Sequence, residues 1–267
     1  RHTRYWRDWS SDVCSSDLEA PSGSLTGSAR DRGIPILTGR VVIEAEGSKA
    51  LRSVRIQSID YEGKLQGPVT SIDCDLLAVS GGFSAVIHLH AQAGARACWD
   101  EGLGSFVPAP SSQANQSAGS CARARTLNEA SLDGHCAGLA AASACGFTAD
   151  PALLAPRAEH ETPGEFRPLW LVPHPRGTSR APKQFVDLQN DVSAADLLLA
   201  VREGFESIEH VKRYTAMGFG TDQGKTANIN GLGIVAQALG KSIDSVGTTT
   251  FRPNYTPVSF GALAGPE

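Results

Sequence analysis

The sequence predicts an α/β protein, with strands in the early part of the chain and helices in the late part. Three observations predict it. Apolar and polar residues alternate from Gly39 to Asp60 about a glycine turn. A continuous apolar run, Asp75-Leu76-Leu77-Ala78-Val79, ends in Ser80-Gly81-Gly82. After residue 193, apolar residues recur at near-helical spacing.

The first residues stand apart. Residues 8–18 read DWSSDVCSSDL, the in-frame translation of a common sequencing-adapter string. Residues 1–18 are therefore set aside as a translated adapter artefact, expected to be disordered. Cys14, Trp6, Trp9 and Tyr5 drop out of any functional role with them. The formal charge of the chain is −4, and the set-aside residues hold three Arg and three Asp, which cancel. The remainder is mildly acidic, which excludes a nucleic-acid surface needing a basic face. No apolar run approaches bilayer-spanning length, so no membrane partner is expected. Cys74, Cys98, Cys121, Cys136 and Cys145 form no C-x-x-C pair, which argues against zinc and disulfide frameworks. They read as small buried hydrophobes in a reducing, cytoplasmic setting.

In order along the chain, 19–33 reads as a Ser/Gly/Arg-rich loop. Val41, Ile43, Val54 and Ile56, with Gly47-Ser48 between, predict a β-hairpin with one buried face. The Asp75–Val79 run predicts a strand buried on both faces, as in a parallel sheet covered by helices. Gly81 and Gly82 at its C-terminal end lie where ligands approach open α/β sheets. Residues 105–117 read as a Pro/Ser/Gln loop. Residues 126–146, Ala-rich with Gly134, Gly138 and Gly146, predict a helix closely packed on a sheet. The proline-rich stretch 149–184 is the linker candidate, with Leu169–Val172 a short strand inside it. Ser193 and Asp196 then make a capping-box signal for a helix through Leu197, Leu198, Val201 and Phe205, with Gly204 as a stop. Ser207 starts a second short helix through Ile208 and Val211. A third covers Thr226 to Leu239 and ends at Gly240. The segment 247–265 has no clear period.

Three local patterns bear on chemistry. Gly231-Leu-Gly233-Ile-Val-Ala236 fits G-x-G-x-x-A but follows no strand, so its glycines read as close-packing positions in a helix. Gly224-Lys225-Thr226 is not a nucleotide-triphosphate loop, since Phe219 stands where the first glycine belongs. It still reads as a helix start whose free amides, dipole and Lys225 suit an anion, with an ordinary capped start as the equal alternative. His88 and His90, two apart, share one face if they lie on a strand. Without a third ligand they make no metal site, so none is expected. No spacing argues for a catalytic triad or dyad, and no catalytic residue is assigned.

The segment 185–222, FVDLQNDVSAADLLLAVREGFESIEHVKRYTAMGFGTD, with QGKTANINGLGIVAQALG after it, resembles the alpha subunit of heterotetrameric sarcosine oxidase. GTTTFRPNYTPVSFGALAG (247–265) continues the match. CDLLAVSGGFSAVIHLHAQAG (74–94) and SAGSCARARTLNEASLDGHCAGLAAASACGF (117–147) resemble the end of that subunit's two-dinucleotide-binding, FAD/NAD(P)-type domain. The resemblance implies a partial FAD/NAD(P)-binding-like domain over 19–150, a Pro-rich linker over 151–184, and a small helical domain over 185–246. Residues 247–267 then lead toward a folate-binding aminomethyltransferase-like domain. The helical part resembles the [2Fe-2S] fold of bacterioferritin-associated ferredoxin. Aligning VDLQNDVS and TDQGKTA with its cysteine motifs puts Asp187, Gln189, Asp222 and Ala227 at the four ligand positions. No thiolate remains, so no iron–sulfur cluster is expected.

What the resemblance implies is an oxidoreductase subunit that helps oxidise sarcosine to glycine, formaldehyde or methylene-folate, and hydrogen peroxide. NAD would meet Ala118, Gly119 and Thr126-Leu127. FMN and FAD would sit on or be shared with a beta subunit. The clustered cations and amide donors of Lys212, Arg213, Gln223, Gly224, Lys225 and Thr226 suit the FMN phosphate or the partner subunit, with a solvated basic patch as the equal alternative. Tetrahydrofolate would belong to a downstream domain. Beta, gamma and delta subunits are the implied partners. Arg123 and Arg125 depart from the small or apolar residues usual near the NAD loop, and Phe83 and Ala85 from the usual tryptophan and proline. Two alternatives stay open: a non-catalytic subunit-docking module, and the alpha subunit of a related opine or proline dehydrogenase.

Overall fold

Strands β1 (Arg40–Gly47) and β2 (Leu51–Ile59) pair antiparallel as the alternation requires. Their apolar positions, Val41, Ile43, Val54 and Ile56, are buried. A register shift between Val42 and Glu44 brings Glu44 opposite Arg55, and the two pair at 3.0 Å. Before the hairpin lies helix α1 (Ser24–Asp31). A third strand, β3 (Leu65–Asp73), joins at the edge to give the order β1-β2-β3. No alternation announces β3, because most of its residues are exposed. Its Pro68 is tolerated at an edge strand beside the register shift between Ile56 and Ser58.

This is a computed structural model, describing residues 24–79, 83–148, 157–158, 168–252 and 258–266. The set-aside N-terminal residues, Gly81, Gly82 and most of 149–167 lie outside the described residues. The chain divides into two units. One takes the described residues of 1–83, 165–185 and 193–195, and holds the three-stranded sheet. There Arg176 pairs with Glu44 at 3.2 Å, and the Gln184 side chain donates to the Val172 carbonyl at 2.6 Å.

Two expectations fail in this unit. Asp75–Val79 forms no strand, and Leu76 and Val79 are each 75% exposed. A strand buried on both faces needs neighbours on either side and helices above and below. The described sheets have three, two and two strands and offer no such place. Leu169–Val172 is irregular rather than a strand, although Val172 is anchored by its carbonyl.

The other unit takes the described residues of 84–164, 186–192 and 196–267. It starts with α2 (His88–Gln92) and a hairpin of β4 (Ala97–Asp100) and β5 (Ser105–Pro108). Thus the expected 105–117 loop opens with a strand. A 3₁₀ turn (Gly119–Ala122) leads into α3 (Leu127–Ala144). That helix has no buried residue, and a Cβ at Gly134 or Gly138 would meet nothing within 4 Å. The expected close packing on a sheet is therefore absent among the described residues. Alanine and glycine favour close approach but do not enforce it, and alanines scattered around a helix define no face.

Strands β6 (Phe185–Asp187) and β7 (Val192–Ser193) form a two-stranded ribbon. Then come α4 (Ala194–Arg202), α5 (Ile208–Thr215), α6 (Asn228–Leu239), α7 (Ile243–Val246) and α8 (Phe260–Ala264). Gly204 and Gly240 follow α4 and α6 with positive φ, as the stop signals foretold. Leu197, Ala200, Ile208, Val211, Met217, Leu232 and Val235 are buried together as the core. Each large member contributes about 1.5–3 kcal/mol. Gly231 is the close-packing residue its pattern suggested: a Cβ there would lie 2.2 Å from Met217 Sδ and 3.7 Å from Leu197 Cδ1.

Thr126 caps α3. Its side chain accepts from the Glu129 amide at 3.1 Å, and the Thr126 amide returns the bond to Glu129 Oε2 at 3.1 Å. Thr126→Ala is expected to cost about 1 kcal/mol. Thermal denaturation of the variant measures it, and Thr126→Ser should retain most of the stability.

Candidate functional site

The site is built on two loops of the second unit, 187–190 after β6 and 216–227 after α5. Asp187, only 2% exposed, is their staple. One of its oxygens accepts the amides of Gln189 (2.8 Å) and Asn190 (3.0 Å). The other accepts the Asn190 side chain (3.2 Å) and, across 31 residues, the Gly218 amide (2.7 Å). Burial pushes the Asp187 carboxyl up, but the Gly218 amide and the Asn190 and Gln189 donors outweigh it and hold it below the usual carboxylate range. Gln189 donates to Thr221 Oγ1 at 3.2 Å, and the Asn190 side chain reaches the Phe219 carbonyl at 3.3 Å.

The turn that follows departs from expectation. Helix α6 starts at Asn228, two residues after Thr226. The Gly224 amide donates to Asp222 Oδ1 at 2.9 Å and the Lys225 amide to the Asp222 carbonyl at 3.2 Å. Both amides are engaged by Asp222, one by its carboxylate and one by its peptide carbonyl, so they do not offer themselves to a phosphate. Gln223 stands at φ 52°, a left-handed conformation for a non-glycine residue. Its side-chain oxygen accepts the Arg252 amide at 2.7 Å and its carbonyl accepts Asn228 Nδ2 at 3.0 Å. Asn228, buried, also donates to Thr249 Oγ1 at 2.9 Å.

Two separate cavities result. The larger, about 310 Å³, is lined by Glu209, Lys212, Arg213, Phe219, Gln223 and Arg252, with Gly218 and Gly220. Arg213 is fixed by the Glu209 carboxylate at 3.1 Å and the Glu209 carbonyl at 2.7 Å. Glu209 in turn accepts the Thr250 amide at 2.7 Å. Burial raises the Glu209 carboxyl, yet the Thr250 amide, Lys212 and Arg213 together bring it below the usual range. The Lys212 ammonium lies 5.7 Å from the Phe219 ring centre. Burial first, and Arg252 and Arg213 after it, lower its proton affinity, while Glu209 opposes them.

The smaller cavity, about 40 Å³, is lined among others by His88, Lys225, Asn228 and Phe251. The His88 ring packs on Phe251 at 3.8 Å between centres. Burial, then Lys225, depress its proton affinity against a weaker pull from Asp222. His88 and His90 lie on helix α2, not on a strand, and two positions on a helix do not share a face. His90 Nε2 instead meets the Arg96 carbonyl at 3.0 Å.

Of the anticipated residues, the fold gathers Lys212, Arg213 and Gln223 in one cavity and sends Gly224 and Lys225 to the other. Glu209 and Arg252 are additions that no local pattern marked; Arg252 sits 29 residues beyond Gln223, and only folding joins them. At the anticipated NAD loop, the Gly119 and Thr126 groups already have partners within the fold. The Gly119 amide donates to Asp133 Oδ2 at 2.8 Å, and Thr126 serves Glu129. A T-x-x-E spacing is the sequence signal that marks Thr126 as a cap. Arg123 pairs with Asp100 at 3.1 Å. The positions aligned with cluster ligands carry carboxylate, amide and methyl side chains, which do not fit an iron–sulfur cluster. Among the described residues no three His, Cys, Asp or Glu side chains converge to hold a metal ion, and no helix is long and apolar enough to cross a membrane.

Comparison with known proteins bears on the same segment. Residues 181–266 match the family model of the sarcosine oxidase A3 domain. Sarcosine oxidase subunit alpha from Corynebacterium sp. (strain U-96) is 42% identical over 238 residues, covering 87% of this chain and 24% of that protein. The subunit from Corynebacterium sp. (strain P-1) is 37% identical over 254 residues, covering 93% of this chain and 26% of that protein. The one from Rhizobium meliloti (strain 1021) is 38% identical over 225 residues, covering 84% and 22%. The chain thus spans about a quarter of the length of the curated relatives it matches. The crystal structure of L-proline dehydrogenase from P. horikoshii shares the fold, with a TM-score of 0.62 and 19% identity over 90% of this chain and 47% of that one. Residues 181–266 match the sarcosine oxidase A3 domain family, and over most of its length the chain is similar to one segment of the sarcosine oxidase alpha subunits.

Proposed function

We propose that this chain is a segment of the alpha subunit of a sarcosine-oxidase-like flavin oxidoreductase acting on a CH–NH bond. The observation that carries the reading is the 42% identity to a sarcosine oxidase alpha subunit through the segment that builds the cationic cavity. In this reading the chain supports chemistry done elsewhere. The beta subunit carries FAD and FMN, gamma and delta subunits complete the assembly, and folate is bound downstream of 247–267. The small helical domain of 185–246 retains a ferredoxin-like scaffold in which Asp187 and its hydrogen bonds do the tying that a cluster would do. Lys212, Arg213 and Gln223 face the flavin-bearing partner. NAD, if bound by the 19–150 domain, needs donors besides Gly119 and Thr126.

The test is turnover. The full-length polypeptide, co-expressed with its flavin-bearing partner, should release hydrogen peroxide on addition of sarcosine. Oxidation of L-proline and not of sarcosine, followed as reduction of an electron-accepting dye, would move the assignment to a proline dehydrogenase, a reading favoured by the shared fold. A tight complex without flavin absorbance would favour the docking module, which the engagement of the Gly224 and Lys225 amides by Asp222 supports.

A further inference from the structure

We propose that His88 and Phe251 form an acid-released latch, which holds the 248–252 segment against α2 while the imidazole is uncharged and lets it go when the ring is protonated. The segment has no helix or strand of its own. It is held by single contacts to three other elements. Asn228 donates to Thr249 Oγ1, Glu209 accepts the Thr250 amide, and Gln223 accepts the Arg252 amide. On the α2 side, the Phe251 ring packs on His88 at 3.8 Å between centres, and the Gln92 side chain donates to the Arg252 carbonyl. A segment tied by few bonds opens locally at a lower cost than the core.

The surroundings of the ring favour its uncharged form. His88 is 4% exposed, and Lys225 lines the same cavity of about 40 Å³. The 222–227 turn brings Lys225, which repels a charged ring, and Asp222, which attracts it more weakly. The 248–252 segment brings a further cation, Arg252, while β5 and α6 carry no charged residue. The Phe251 face would attract an imidazolium, but burying that charge beside an ammonium costs more than an aromatic face returns. Burial and Lys225 therefore hold the proton affinity of the closed state below the ordinary histidine value of about 6.5. Above that value neither state binds the proton and the latch has constant strength. As pH falls through it, the open state takes the proton first, and the latch weakens until the depressed closed-state value is reached. Opening takes Arg252 from Gln223 and Thr250 from Glu209, so acid loosens the wall of the larger cavity as well.

Hydrogen–deuterium exchange on the full-length polypeptide tests the latch, with each rate corrected for the intrinsic pH dependence of exchange. The amides to follow are those of Thr250 and Arg252, with Leu232 and Val235 in the core of α6 as the internal reference. Between pH 7.5 and 5.5 the protection of Thr250 and Arg252 should fall by up to about tenfold, the limit for one proton taken up on opening. Leu232 and Val235 should keep theirs. Glu209, held below the usual carboxylate range, stays ionised throughout that window. His88→Phe keeps an aromatic ring against Phe251 but cannot titrate, so its protection should not change with pH. Lys225→Met removes the repulsion and should shrink the fall; it provides the second reading if His88→Phe does not fold. Constant or rising protection in the wild type on acidification would overturn the latch. So would an equal fall in either variant, or a parallel fall at Leu232 and Val235, which would mean loosening of the whole unit.

Discussion

Asp187→Ala is expected to lower the stability of the unit that carries the cationic cavity by about 3–4 kcal/mol, among the largest effects of a single change here. The carboxylate accepts four hydrogen bonds, three from backbone amides, and one of those comes from Gly218 on the other loop. A hydrogen bond to a charged group contributes about 1.5–3 kcal/mol, and a buried donor left without its acceptor costs a further desolvation penalty. The four bonds share one carboxylate, so their contributions do not add. Asp187→Asn should recover a good part of the loss, because its remaining oxygen can serve the Gln189 and Asn190 amides. Denaturant midpoints of the three proteins measure the series. Equal stability of wild type and Asp187→Ala would refute the role of the staple. The pH dependence follows by sign. The folded-state proton affinity lies below the ordinary value, so the stabilisation is fully present above the unfolded pKa and is lost as pH falls through the lowered folded one. Unfolding at acid pH should steepen in wild type and flatten in Asp187→Ala.

Gly224→Ala should cost about 3 kcal/mol and also disturb the cationic cavity. Gly224 stands at φ +72°, and an added Cβ would lie 2.1 Å from Asn228 Oδ1 and 2.4 Å from its Cγ. The left-handed backbone alone costs an alanine about 1–2 kcal/mol. Asn228 cannot step aside freely, because its Nδ2 donates to both the Gln223 carbonyl and Thr249 Oγ1. Giving up those buried bonds adds about 1 kcal/mol each. Gln223 carries the strain on to Arg252, whose amide it accepts. The expected result is a lower melting temperature. An unchanged melting temperature would overturn the packing of Gly224 against Asn228.

The elements differ in how legible they were, for physical reasons. The β1–β2 hairpin and the helices after residue 193 carry their own periodicity, since each buries one face against a neighbour close in the chain. Their stop glycines are local too. The β3 edge strand carries no pattern, because an exposed edge asks nothing of its side chains. Asp75–Val79 and the Ala-rich α3 show the opposite failure. Their composition suits burial, but burial belongs to what lies around them, and no described element covers them. Gly224-Lys225-Thr226 left an anion site and an ordinary turn open, and the fold favours the second: Asp222, just upstream, accepts the Gly224 amide on its carboxylate and the Lys225 amide on its peptide carbonyl.

The sequence alone determined the likeness to sarcosine oxidase alpha subunits, the helical character of 194–239, the packing role of Gly231 and the absence of thiolates at the aligned ligand positions. Each of these rests on residue identity or on short spacing. Tertiary structure decided that Lys212 and Arg213 share a cavity with Arg252 rather than with Lys225, and that Asp187 ties the two loops. Both facts depend on contacts between residues some 30 to 40 apart in the chain. No periodicity encodes such contacts, because they form only when α5, the 218–227 turn and the 248–252 segment close on the same core.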